Sequence, residues 1–95
     1  MNTQKQLVMD VAMNLNRIGN WIDDDFEKNK RKIDIFIQNT DSYLDKIGEV
    51  TPKFQGTWNF FLKFYLPAKK DLKNNAENLM TFGNILTHRA KLIES

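Results

Sequence analysis

The chain has 95 residues, of which 41% are hydrophobic and 27% charged, which excludes a disordered segment and fits one globular domain over residues 1–95. With 14 basic and 12 acidic side chains the net charge is +2, less one-sided than dedicated nucleic-acid-binding domains usually are. The chain has no cysteine, which excludes disulfides, thiolate catalysis and thiolate metal sites and favours a reducing, cytoplasmic location.

Neither a signal peptide nor a membrane span is expected. Asp10 interrupts the N-terminal stretch, and the longest apolar stretch, residues 60–66, contains Lys63 and is too short to cross a bilayer. Four glycines and two prolines are too few for the frequent turns of an all-β chain. We therefore expect an all-α protein.

Apolar side chains in the first half of the chain recur at steps of three and four, which indicates one face of an α-helix over about residues 4–47. The face comprises Val8, Val11, Leu15, Ile18, Ile22, Phe26, Ile33, Phe36 or Ile37, Leu44 and Ile47. Asn29 and Thr40 also fall on it. A kink is allowed near Gly19, with Asn20 as a candidate helix cap.

The segment Gly48 to Pro52 predicts the end of one helix and the start of the next. Gly48 suits the left-handed residue that terminates a helix. Thr51 is expected to cap the second helix through its side chain, and Pro52 to occupy the first helical position.

The second helix is predicted over about residues 52–93. From Leu72 the apolar side chains follow a heptad seam that comprises Leu72, Ala76, Leu79, Gly83, Leu86, Ala90 and Ile93. The apolar phase continues through Pro67, so we expect a kink there rather than a reversal.

These elements predict an antiparallel hairpin of two long helices, each about 60 Å long at 1.5 Å per residue. Residues whose numbers sum to about 100 then lie at the same level, so that Gly19 is level with Gly83. A single seam between two helices buries too little apolar area to offset chain entropy. We therefore expect two hairpins to pair into a dimeric four-helix bundle; the alternative is a monomeric three- or four-helix bundle.

An aromatic run in the second helix supports the need for a further partner. Its large apolar side chains are Phe54, Trp58, Phe60, Phe61, Leu62, Phe64, Tyr65 and Leu66. They span roughly 240° of the helix circumference, more than one neighbouring helix covers. A second copy, another helix of the same chain or a different protein must cover them, and the homodimer interface is the preferred assignment.

A basic belt is predicted near the middle of the hairpin, where two clusters come level. It comprises Lys28, Lys30, Arg31, Lys32, Lys69, Lys70 and Lys73. The belt is a candidate anion-binding surface for phosphates of nucleic acid or lipid. Acidic residues at i,i+4 spacing neutralise part of it, so a solvated face is the preferred interpretation and nucleic acid an unlikely ligand.

The sequence offers no catalytic, metal or cofactor motif. Asp23, Asp24 and Asp25 would point about 100° apart on a helix and cannot converge on one ion, so a helix N-terminus is favoured. His88 is the only histidine and is expected at the surface. We therefore predict a non-catalytic helical protein–protein interaction module, with an unknown protein partner or a second copy. The alternative is nucleic-acid or anionic-surface binding through the basic belt.

Overall fold

The computed structural model describes residues 3–93, which form three α-helices and no β-strand. Helix α1 spans Gln4–Ile47, α2 spans Pro52–Ala68 and α3 spans Ala76–Arg89. Short 3₁₀ turns at Leu72–Asn74 and Ala90–Leu92 follow α2 and α3. The all-α class predicted from the sequence is confirmed.

Helix α1 is bent back on itself at Asp25, whose φ of −167° and ψ of 98° are not helical. A straight helix of 44 residues would be about 66 Å long, whereas the longest extent of the molecule is 39 Å. Residues 4–24, the first arm, and residues 26–47, the second arm, therefore form an antiparallel pair. At the open end of this pair the Gln4 side chain donates to the carbonyl oxygens of Ile47 and Glu49 at 3.2 and 2.6 Å.

The prediction of two extended helices is corrected by this reversal, which lies six residues beyond the expected kink at Gly19. The carboxylate of Asp25 accepts a 3.0 Å hydrogen bond from the backbone N–H of Lys28 and caps the second arm. The buried Asn29 side chain donates to the carbonyl oxygen of Trp21 at 3.0 Å and satisfies a carbonyl near the end of the first arm. Local side-chain hydrogen bonds thus compensate the helix ends that the turn exposes.

The turn between α1 and α2 is largely as the sequence predicts. Gly48 has a positive φ of 59°, and its N–H donates to the carbonyl oxygen of Leu44. Pro52 begins α2. The predicted side-chain cap is wrong, because the buried hydroxyl of Thr51 has no hydrogen-bond partner. Its carbonyl oxygen accepts from the N–H of Phe54 at 3.0 Å instead.

The chain reverses between α2 and α3, so the kink predicted at Pro67 is also corrected. Helix α2 ends at Ala68, one residue beyond the proline. Asn74 and Asn75 then donate to the side chain and the backbone carbonyl of Asp71 at 3.0 and 2.7 Å. Such local hydrogen bonds stabilise the backbone of a turn at the expense of a helix. The regular spacing of apolar residues through Pro67 therefore does not by itself show that the helix continues.

The first arm and α3 pack with their backbones close together. A β-carbon on Gly19 would lie 2.8 Å from the carbonyl oxygen of Ala76, and one on Gly83 would lie 2.9 Å from that of Ala12. Both glycines therefore lie in one seam, offset by about one helical turn from the level predicted. The heptad residues of this seam are buried, apart from half-buried Leu72: Ala76, Leu79, Gly83, Leu86, Ala90 and Ile93.

Four helical segments thus alternate in direction, and each packs against the next in a closed cycle. The first arm contacts the second arm and α3, and α2 contacts the second arm and α3. The first arm and α2 therefore lie at opposite corners. Between the two arms, the buried Asn14 side chain donates to the Thr40 hydroxyl at 3.2 Å, and that hydroxyl donates to the Phe36 carbonyl oxygen at 2.7 Å.

Candidate functional site: a basic groove between α2 and α3

Half of the predicted aromatic interface is covered by the chain itself. The side chains at steps of four, three and four are buried, namely Phe54, Trp58, Phe61 and Tyr65. Leu62 and Phe64 are half-buried. Phe60 and Leu66 remain 63% and 53% exposed. The reversal at Asp25 and the return of α3 therefore provide within one chain much of the cover that we expected from a second copy.

Large side chains, rather than glycines, separate α2 from α3. Phe82 of α3 stacks on Phe64 with ring centroids 4.5 Å apart, and lies 5.5 Å from Phe60 and 5.9 Å from Phe61. Aromatic rings hold helix backbones farther apart than glycine does, and an open groove lies between the two helices beside Phe60.

This space, here called the basic groove, has a volume of about 750 Å³. Its walls and floor are Lys53, Gly56, Thr57, Phe60, Asn84, Ile85, His88 and Arg89. The exposed ring of Phe60 and the half-buried side chain of Ile85 supply apolar surface. Lys53 and Arg89 supply positive charge, and the lining residues that belong to the described range 3–93 include no acidic side chain. The groove therefore combines an apolar floor with a cationic rim.

Gly56 gives the groove its shape. A β-carbon at this position would meet no atom within 4 Å, so packing within the chain does not require glycine. Glycine inside a helix costs about 0.5–1 kcal/mol relative to alanine. The chain therefore carries an energetically unfavourable residue at a position where the missing side chain leaves the groove wall low beside Phe60.

The predicted basic belt is only partly assembled. Lys30 and Lys73 both approach the ring of Phe26, at 5.9 and 6.0 Å from its centroid, so residues from the two clusters do meet. Lys69 lies apart from them and forms a 3.1 Å ion pair with Asp41. The belt is therefore discontinuous at Lys69.

The other cations of the belt lie on exposed helix or turn surface. Lys28, Arg31, Lys32 and Lys70 are exposed. On the second arm, the shallow depression beside Lys28, Lys30 and Arg31 also contains the acids Glu27 and Asp34. Lys30 and Asp34 approach to 3.8 Å. Acidic neighbours of this kind offset the field of the cluster, as the sequence spacing indicated.

Tyr65 is the ionisable group with the most perturbed environment, and it lies in the core. Its hydroxyl donates to the carboxylate of Asp41 at 3.0 Å, and Lys69 binds the other carboxylate oxygen at 3.1 Å. Burial, followed by the adjacent Asp41 charge and this hydrogen bond, raises the pKa of Tyr65 far above its ordinary value. The network joins the second arm to α2 and has no contact with the basic groove.

The α3 side of the basic groove was missed by the sequence interpretation. Three groove residues of α3 lie outside the heptad seam, namely Ile85, His88 and Arg89. His88 and Arg89 follow Ile85 by three and four positions, so this spacing alone places all three on one side of the helix. The side chain of His88 is exposed, as the sequence predicted. It lines the basic groove, which the sequence did not predict. Within residues 3–93, no group of His, Asp or Glu side chains is arranged to hold a metal ion.

Comparison of the chain with protein-family models, with curated proteins and with solved structures found no match. The site is therefore interpreted from its own geometry. The helices described over residues 3–93 include none that is both long enough and apolar enough to cross a membrane.

Proposed function

We propose that this protein is a non-catalytic interaction module that binds an amphipathic, acidic helix of a partner protein in the basic groove. The observation that carries the proposal is the exposed Phe60 beside Gly56 in a groove where the charged lining residues described by the structure, Lys53 and Arg89, are basic. An elongated apolar floor between two helices is the typical receptor for a third helix. Cations at its rim favour carboxylates on the incoming helix and disfavour basic partners.

A binding role fits the chemistry of the groove better than catalysis. The residue with the strongly raised pKa, Tyr65, is fully buried and is held by Asp41 away from the groove. Its perturbation follows from a structural network rather than from a reactive cleft. Phe60 and Ile85 supply the kind of apolar anchor surface on which helix docking depends.

The test is binding of a designed peptide to the ¹⁵N-labelled full chain. The peptide is a helix with leucines along one face and glutamates flanking them, and its matched control has lysine in place of every glutamate. We expect the acidic peptide to bind and to shift the amide resonances of Phe60, Ile85 and Arg89. The basic peptide should bind at least tenfold more weakly, because it places like charges against Lys53 and Arg89.

Two variants locate the binding site. Arg89→Glu should weaken the acidic peptide and improve the basic one, whereas Asn20→Glu, at an exposed position on the first arm, should change neither. Absence of peptide binding, or resonance shifts confined to surfaces outside the groove, would contradict the proposal. So would a preference for anionic lipid vesicles over the peptide, which would make the groove a membrane-contact surface instead.

Anion binding through the basic belt stays the alternative function. Lys69 is already paired with Asp41, and acids lie among the other cations, so the belt supports this function less well than the groove supports helix docking. A separate surface suits the homodimer predicted from the sequence better, because the groove-lining residues within positions 3–93 include no acid that could pair with Lys53 and Arg89 in a second copy.

A further inference from the structure

A second groove lies on the adjacent side of the bundle, between the second arm and α2. This acidic groove has a volume of about 390 Å³ and is lined by Asp41, Leu44, Asp45, Gly48, Trp58, Leu62, Leu66 and Lys69. Its two carboxylates outnumber its one amine, and Lys69 already binds Asp41. Asp45 is exposed. The second arm therefore presents a negative edge to this side of the molecule.

Helix α2 carries the opposite charge beside this groove, because Lys63 lies about 60° around the helix from Leu66, which lines it. Its 17 residues include no acidic side chain, and Lys63 on its outer surface is exposed. Leu66 is 53% exposed and Leu62 half-buried, so an apolar strip runs between the two charged edges. This side of the bundle thus carries the exposed carboxylate of Asp45 on the second arm and the exposed amine of Lys63 on α2, with Leu62 and Leu66 between them.

This arrangement is self-complementary for only one way of pairing two copies. A two-fold axis parallel to α2, running along the groove, places each α2 over the second arm of the other copy and brings each Lys63 towards Asp45 of the other copy. A two-fold axis perpendicular to α2 places α2 on α2 and the second arm on itself, which opposes like charges. We propose that two copies of this chain pair through the acidic groove about a two-fold axis parallel to α2.

The available surface is adequate for such a dimer. The molecule measures 39 × 25 × 19 Å, so one whole side approaches the roughly 800 Å² per partner of a standard interface. The pairing leaves the basic groove open, because that groove lies on the neighbouring side between α2 and α3. Leu66, which the sequence placed in a homodimer interface, lies near the proposed axis, whereas Phe60 stays in the basic groove.

The experiment is a charge exchange followed by sedimentation. The full chain should sediment as a dimer at high micromolar concentration, and Lys63→Glu and Asp45→Lys should each shift it to monomer. The double variant should restore the dimer, because it exchanges the two charges across the interface. Asn20→Glu, on the corner opposite α2, should leave the dimer intact, and circular dichroism should show that all variants fold.

Disulfide formation tests the assigned surface by a second route. The chain has no cysteine, so a single introduced thiol is the only one available. Leu66→Cys should form a covalent dimer on mild oxidation, and Asn20→Cys should stay monomeric. A wild-type chain that is monomeric at millimolar concentration overturns the dimer while leaving peptide binding in the basic groove untouched. A dimer that neither charge variant weakens overturns the assigned surface.

Discussion

Gly83 faces the carbonyl oxygen of Ala12 so closely that a β-carbon on Gly83 would lie 2.9 Å from that oxygen. Seven residues along each helix, about two helical turns away, a β-carbon on Gly19 would lie 2.8 Å from the carbonyl oxygen of Ala76. The first arm and α3 each place small residues seven positions apart in this seam. Glycine at positions 19 and 83 therefore allows the two backbones to pack this closely along one close seam.

Gly83→Ala should lower the free energy of unfolding by about 1–3 kcal/mol, because the added methyl group requires the two backbones to separate. Gly56→Ala is the matched control, since its β-carbon meets no atom within 4 Å. That variant should be more stable than wild type by about 0.5–1 kcal/mol, as alanine restricts the unfolded chain and favours helix. Urea denaturation of both variants measures the effects. Equal changes at the two glycines would contradict the close seam.

Asp25→Ala should destabilise the protein by about 0.5–2 kcal/mol, because the Lys28 N–H loses the carboxylate that caps the second arm. Asp25→Asn should retain most of the stability, since its side-chain oxygen can accept the same hydrogen bond. Asp23→Ala is the control, because Asp23 lies three positions before Phe26, where the second arm begins. It should change the free energy of unfolding by less than about 0.5 kcal/mol. Thermal unfolding followed by circular dichroism separates these outcomes.

Thr40→Val should cost about 1–3 kcal/mol, because it leaves the buried amide of Asn14 without its hydroxyl acceptor. Thr40→Ser keeps the hydroxyl and should cost less. In the double variant Asn14→Leu/Thr40→Val both polar partners are gone, so its loss should be smaller than the sum of the single losses. Strict additivity in chemical denaturation would show that the pair does not interact.

Tyr65→Phe should lower the free energy of unfolding near neutral pH by about 1.5–3 kcal/mol, because it removes a partly buried hydrogen bond to a charged carboxylate. Lys69 continues to bind Asp41 in this variant, so the carboxylate keeps one partner.

Tyr65 should also make the protein sensitive to alkali. Its folded pKa lies above that of the unfolded chain, so its contribution is intact below about pH 10 and declines as pH rises further. In a Tyr43→Phe background, Tyr65 is the only tyrosine, and its phenolate absorbance should appear together with loss of helical circular dichroism. Phenolate formation in a fully helical protein would contradict the burial and pairing of this hydroxyl.

Local signals and periodicity determined much of this protein. The all-α class, the turn at Gly48 and Pro52 and the buried heptad from Ala76 to Ile93 follow from residue type and spacing, because helix faces and glycine turns are short-range properties. The sequence also placed Gly19 and Gly83 in one close seam. The first arm and α3 pack antiparallel both in the predicted hairpin and in the observed bundle. This shared geometry explains why the predicted level of the two glycines agrees with the structure to within about one helical turn.

The tertiary structure decided where the chain reverses, and therefore which aromatics are covered. The apolar phase runs through Asp25 and Pro67, so periodicity cannot distinguish a continuous helix from two helices joined by a tight turn. Folding back buries Phe61 and Tyr65 within the chain and shortens the molecule to 39 Å, a long-range gain that no local window contains. Phe82 of α3 meets the rings of Phe60 and Phe64 on α2 only across that fold. Phe60 and Arg89 lie close together in the basic groove, but no local pattern in the sequence predicts that proximity.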